Sequence, residues 1–103
     1  MTPSVLLLSC NNEQEADIII KNLLTKKLII CANKLPIESS FLWKGGIDSA
    51  REILLLLESM EEKFSEIEKE VSDLHASETF VLFSLPVMQT TQKVKDWITE
   101  ELA

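Results

Sequence analysis

The chain has 103 residues, 46% of them apolar, with only two glycines and three prolines. That composition fits one domain with a core of its own, spanning 1–103, and excludes disorder, collagen-like repeats and a loop-dominated fold. The net charge of −7, from 17 acidic against 10 basic side chains, repels phosphate and argues against a nucleic-acid partner.

Val5-Leu6-Leu7-Leu8-Ser9-Cys10 is a short apolar run, read as a strand buried on both faces. Asn11 and Asn12 then offer N-cap chemistry, and Glu13 and Glu15 suit a first helical turn. Ala16, Ile19, Ile20, Leu23 and Leu24 recur at helical spacing, so 12–26 is the first helix, with Lys26 and Lys27 at its C-terminal end. Leu28-Ile29-Ile30-Cys31-Ala32 is a second strand, and 33–43 stays extended, with Pro36 marking an edge or a bulge. The paired glycines of Lys44-Gly45-Gly46-Ile47-Asp48 signal a hairpin turn. A returning strand occupies 49–59, with Ile53-Leu54-Leu55-Leu56-Leu57 at its centre.

Ser59 or Met60 opens a second helix, on which Phe64, Ile67, Val71 and Leu74 follow the 3.6-residue period and His75 stands at the end. A fourth strand covers 79–87. Thr90 and Thr91 cap a closing helix that carries Val94, Trp97, Ile98 and Leu102.

The order is βαββαβ plus a C-terminal helix. That is the ferredoxin-like, α+β arrangement: one antiparallel sheet with helices on one face. The central hairpin, 28–59, is long for this fold, and its unpaired edges and apolar residues call for a partner. A threefold-symmetric homotrimer with hairpins paired edge to edge would hide those edges in every subunit at once. No apolar run is long enough to cross a bilayer, and no signal peptide is evident at Met1. The cytoplasm is the expected compartment, with no membrane partner.

Several segments, taken in order, resemble the CutA divalent-cation-tolerance family. Leu28-Ile29-Ile30-Cys31-Ala32-Asn33 is similar to the family's LAACVN strand. Ser40-Phe41-Leu42-Trp43-Lys44-Gly45-Gly46-Ile47 is similar to its S-x-Y-x-W-x-G-x-I hairpin, with Phe41 where tyrosine is usual. Glu52 to Glu58 resembles the E-x-x-L-x-x-K strand, but Glu58 stands in place of the lysine. His75-Ala76-Ser77-Glu78 occupies the place of H-P-Y-E, with Ala76, Ser77 and, further on, Phe80 departing from the pattern. The resemblance implies a non-enzymatic homotrimer concerned with tolerance or binding of copper or another divalent cation, or with scaffolding other proteins. The runner-up is a small-molecule-sensing trimer similar in architecture to the PII signalling proteins.

Candidate metal ligands are His75, Glu78, Cys31 and Cys10. His75 is the single histidine; it can ligate copper or zinc, or stabilise a helix C-terminus. Cys10 and Cys31 form no disulfide framework and no C-x-x-C pair. Either thiol would favour soft ions, although a cysteine between Ile30 and Ala32 also reads as a small buried hydrophobe. Any cation held here is bound weakly and is not required for folding. Trp43, Phe41, Glu52 and Trp97 are expected in packing or at the trimer interface, with Glu52 as a buried, paired carboxylate. No nucleophile elbow, phosphate loop or zinc signature occurs, so the chain is not expected to be an enzyme.

Overall fold

A computed structural model describes residues 1–102. The elements in order are β1 (Pro3–Cys10), α1 (Glu13–Thr25), β2 (Cys31–Trp43), β3 (Gly46–Met60), a single 3-10 turn (Glu61–Lys63), α2 (Phe64–Leu74), β4 (Leu82–Pro86) and α3 (Gln92–Leu102). The four strands form one sheet in the order β2-β3-β1-β4, with every neighbouring pair antiparallel. This is the expected α+β, ferredoxin-like arrangement.

One face of the sheet carries the core. Leu6, Leu8 and Cys10 of β1 alternate inward and pair with Leu57, Leu55 and Ile53 of β3. Ala16, Ile19 and Leu23 of α1 and Ile67 and Val71 of α2 bury against them. Each such apolar side chain contributes about 1.5–3 kcal/mol when fully covered. The other face is open. Val5 and Leu7 of β1, Leu54 and Leu56 of β3 and Phe83 and Leu85 of β4 share it by register. Phe83 is 60% and Leu85 50% exposed. The expectation that β1 is buried on both faces therefore fails within one chain: its residues alternate between buried and half-buried.

The hairpin departs from expectation at both ends. β2 starts at Cys31, not Leu28, because α1 ends in a Schellman motif. Lys27 takes a left-handed φ of 57°, and the Lys27 and Leu28 N–H groups donate to the carbonyls of Leu24 and Leu23 at 3.0 and 2.9 Å. Leu28 and Ile29 are then buried, and the buried Ser59 hydroxyl donates to the Leu28 carbonyl at 2.6 Å. At the tip the turn is narrower than expected. Lys44 and Gly45 alone make it, with φ of 49° and 83°, the pair of positive values that suits a two-residue hairpin loop. The strand resumes at Gly46, opposite Trp43. Pro36 sits on edge strand β2 opposite Ile53 without a bulge, where its missing N–H costs no bond within the sheet.

β1 pairs with β3 only over 53–60, so residues 46–52 pair with β2 alone and the distal hairpin projects as a two-stranded ribbon. The molecule accordingly measures 45 × 26 × 22 Å. α2 starts later than expected, because Ser59 and Met60 complete β3 and the Glu61 N–H donates to the Thr2 carbonyl at 2.8 Å. β4 is shorter than the expected 79–87. Thr91 caps α3 as expected, its hydroxyl accepting the Val94 N–H at 3.3 Å.

Candidate functional site

The C-terminal end of β1, the first turn of α1 and the exit of α2 meet at one point. Asn12 caps α1, its Oδ1 accepting the Glu15 N–H at 2.8 Å. Glu15 turns back over that turn and accepts the Asn11 N–H at 2.9 Å through Oε1. Its Oε2 accepts the Ala76 N–H at 2.9 Å. Because α2 ends at Leu74, the next residue, His75, swings under this carboxylate.

Cys10, Glu15 and His75 thus each bring one ligand-type atom within 4.8 Å of the others. All three are covered: Cys10 is fully buried, and the side chains of His75 and Glu15 are 3% and 9% exposed. His75 has a defined tautomer. Its Nδ1 accepts the Ser77 N–H at 3.1 Å, so the ring proton lies on Nε2, which donates to the Ser9 carbonyl at 2.8 Å. Nε2 also lies 3.3 Å from Glu15 Oε1. The Phe80 ring packs on the imidazole at a centroid distance of 5.3 Å.

The electrostatics differ within the cluster. Burial pushes the Cys10 thiol up to about 12, helped by the charges of Glu15 and then Glu52. Burial also opposes ionisation of Glu15, but the N–H groups of Asn11 and Ala76 and the Asn11 side-chain amide outweigh it and hold the carboxyl below its usual range. Thiol, imidazole and carboxylate are donors that suit zinc or copper, so the set fits a divalent cation in type and spacing. Each donor is engaged before any cation arrives: the thiol is protonated and the other two hold hydrogen bonds. That makes the site reluctant.

Two of the four sequence-nominated ligands, Cys10 and His75, come together here. Cys31 and Glu78 lie outside the cluster. Cys31 opens β2 on the open sheet face, directly opposite Glu58. A hydrogen bond to Glu58, then burial and the Glu58 charge, raise its thiol, against a lowering contact from Asn33. Glu78 is exposed in the connection to β4. Glu15 was not among the candidate ligands because an acidic residue in a first helical turn reads as dipole and cap chemistry. The N-cap asparagine followed three residues later by glutamate was the signal that its side chain folds back.

The residues nominated for packing or interface spread along the ribbon and onto α3. Trp43 at the tip is 53% exposed and lies under Lys44 Nζ, 5.8 Å from the ring centroid. Phe41 shares its face two residues earlier, and both lie on β2. Trp97 on α3 borders a groove with Leu24, Lys27, Ile29, Ile30 and Leu102. Glu52 is half-buried rather than buried, and among the described residues it makes no ion pair. It lines a cleft of about 480 Å³ between the ribbon and Asn11 and Asn12, together with Arg51, Glu38 and Ile53.

Residues 4–101 match the CutA1 divalent ion tolerance protein family. The chain is 38% identical over 87 residues to the divalent-cation tolerance protein CutA of Archaeoglobus fulgidus, covering 84% of this chain and 85% of that protein. It is 35% identical over 91 residues to the protein of the same name from Thermotoga maritima, covering 88% and 90%. In three dimensions it is similar to the periplasmic divalent cation tolerance protein CutA of Archaeoglobus fulgidus, with a TM-score of 0.96 at 33% identity over 98% of this chain and 99% of that one. The divalent cation tolerance protein of Thermus thermophilus superposes with a TM-score of 0.95 at 26% identity, over 98% and 99%. A match over nearly the whole chain, in sequence and in fold, places this chain in the CutA1 divalent ion tolerance family.

Proposed function

We propose that this chain works as a homotrimer in divalent-cation tolerance, without catalysing a reaction, and that it takes up a divalent cation weakly at Cys10, Glu15 and His75. The observation that carries the reading is the convergence of those three donors within 4.8 Å. Copper(II) heads the divalent affinity order and is the ion expected to bind best. Binding must displace the thiol proton and break existing hydrogen bonds, so affinity stays low. Threefold assembly is supported by the open apolar face and by the unpaired edges of the ribbon. Two unpaired cysteines suit a reducing cytoplasm, and no described helix is long and apolar enough to cross a membrane.

The cleft beside the ribbon supports a second reading, a small-molecule sensor similar to the PII proteins. Arg51, the chain's single arginine, lines it without an ion pair among the described residues. Glu38 and Glu52 line it too, which disfavours a phosphate-rich ligand. Calorimetric titration with Cu(II) and Zn(II) separates the readings. The parent protein and a Cys31→Ser variant should bind alike, while His75→Ala and Cys10→Ser should lose binding. Equal binding by all four proteins moves the cation elsewhere; no binding by any leaves scaffolding or sensing as the better account.

A further inference from the structure

We infer that a divalent cation entering the Cys10–Glu15–His75 cluster frees the Ser77 amide, and with it the segment 76–81 that leads into β4. This rests on the reading of the cluster as a cation locus and adds what occupancy does to the fold.

A neutral imidazole has one lone pair and one N–H. The lone pair is on Nδ1, where it accepts the Ser77 N–H at 3.1 Å. The N–H is on Nε2, toward the Ser9 carbonyl at 2.8 Å. Coordination through Nδ1 takes the lone pair that Ser77 uses. Coordination through Nε2 shifts the ring proton to Nδ1, where it would face the Ser77 N–H donor to donor. Either nitrogen leaves the Ser77 amide without its acceptor. Ser77 is half-buried and its bond to the imidazole partly buried, so the amide reaches water in place of Nδ1 as the segment shifts off the ring.

Glu15 acts in the same direction. Its Oε2 accepts the Ala76 N–H at 2.9 Å, and a carboxylate that turns to a cation weakens that bond. The remaining polar ties of the segment also run to residues beside the cluster. Asn11 Nδ2 donates to the Ser77 hydroxyl at 3.1 Å, and the Ser9 N–H donates to the Val81 carbonyl at 3.3 Å. The segment ends at β4, whose Phe83 and Leu85 lie on the open sheet face. Occupancy of a buried cluster is thereby communicated to the surface on which subunits would meet, with no ligand contact at that surface.

Amide hydrogen exchange of the full chain, resolved by NMR with and without saturating Zn(II), tests this. Zn(II) is diamagnetic and leaves the spectra readable. Protection of the Ala76 and Ser77 amides should fall about tenfold or more on loading, while the β1–β3 ladder amides keep theirs. Cys10→Ser retains the imidazole bonds, so it should show the parent's protection without zinc and no response to zinc. If zinc binds, Cys10→Ser abolishes that binding, and Ser77 protection is nonetheless unchanged in the loaded parent, the coupling is wrong and the cation reading stands. If zinc does not bind, or binds Cys10→Ser and His75→Ala as it binds the parent, both fall together.

Discussion

Under the proposed threefold assembly, truncation of Phe83 to alanine should separate folding from assembly. The side chain stands on the open face of β4, opposite Leu7, and is 60% exposed in a single chain. A phenylalanine offers roughly 200 Å² for burial, so roughly 120 Å² of it is left for a neighbouring subunit to cover. At ~25 cal/mol per Å², covering it contributes about 3 kcal/mol per subunit. Phe83→Ala keeps the β-carbon and should cost about 2–3 kcal/mol per subunit in association, but little in the fold of one subunit, because most of the ring is outside the intrachain core. For three subunits that moves the dissociation midpoint to at least about a hundredfold higher protein concentration. Sedimentation equilibrium over a dilution series reads the midpoint, and melting at each concentration reads its linkage to folding. Ile18→Ala is the control: this residue is also exposed, at 53%, but sits on α1, away from the open face. A Phe83→Ala variant that dissociates and melts with the parent at every dilution would refute the assignment of this face to the interface.

Trp43→Ala at the ribbon tip should weaken assembly by about 2 kcal/mol, the scale of an interfacial hot spot; an unchanged sedimentation profile would place the tip outside the interface. Cys10 makes an alkaline prediction. Its thiol is held up to about 12 from an ordinary value of 9.0, so the folded chain keeps a proton that the unfolded chain releases. Stability should fall as pH rises from 9 toward 12, by about 1.4 kcal/mol per pH unit from this group, and urea melts of Cys10→Ala should lack that component. Glu15 has the opposite sign. Its carboxyl is held down in the folded state, so its contribution is complete above the usual carboxylate range and is lost as pH falls through the folded value. Glu15→Gln should therefore be less stable than the parent at neutral pH, and the gap should close on acidification; a constant gap would show that the contribution is not ionic.

Much of the fold is legible in the pattern of residues. The apolar spacing of Ala16, Ile19 and Leu23, and of Ile67 and Val71, picks out the helix faces that do pack on the sheet. The glycine pair marks the hairpin, and Thr91 marks the start of α3. The misses have physical causes. Leu28-Ile29-Ile30 has strand composition, but Leu28 and Ile29 are core residues of a helix exit, made possible by a lysine in the left-handed region that no propensity favours. β4 was expected to start at Thr79, but the segment before it is held by Ser9, Asn11, Glu15 and His75 rather than by the sheet alone. In the cluster, Cys10 and His75 are 65 positions apart in sequence. Their meeting is a product of topology: β3 and α2 return the chain to the end of β1 at which Cys10 stands. Cys31 reads from its neighbours as a small buried hydrophobe, yet the register sets it half-buried across from Glu58, on the face of the sheet opposite the fully buried Cys10.

The most direct test of the cation reading is an anomalous-scattering map at the zinc edge from crystals grown or soaked with Zn(II). The account predicts a peak enclosed by Cys10, Glu15 and His75, about 2.3 Å from the sulfur and about 2.0 Å from an imidazole nitrogen. It also predicts that the peak is absent from Cys10→Ser crystals treated in the same way. A fully loaded crystal whose only zinc peaks lie on exposed carboxylates, with the His75 imidazole still bonded to the Ser77 amide, would contradict it.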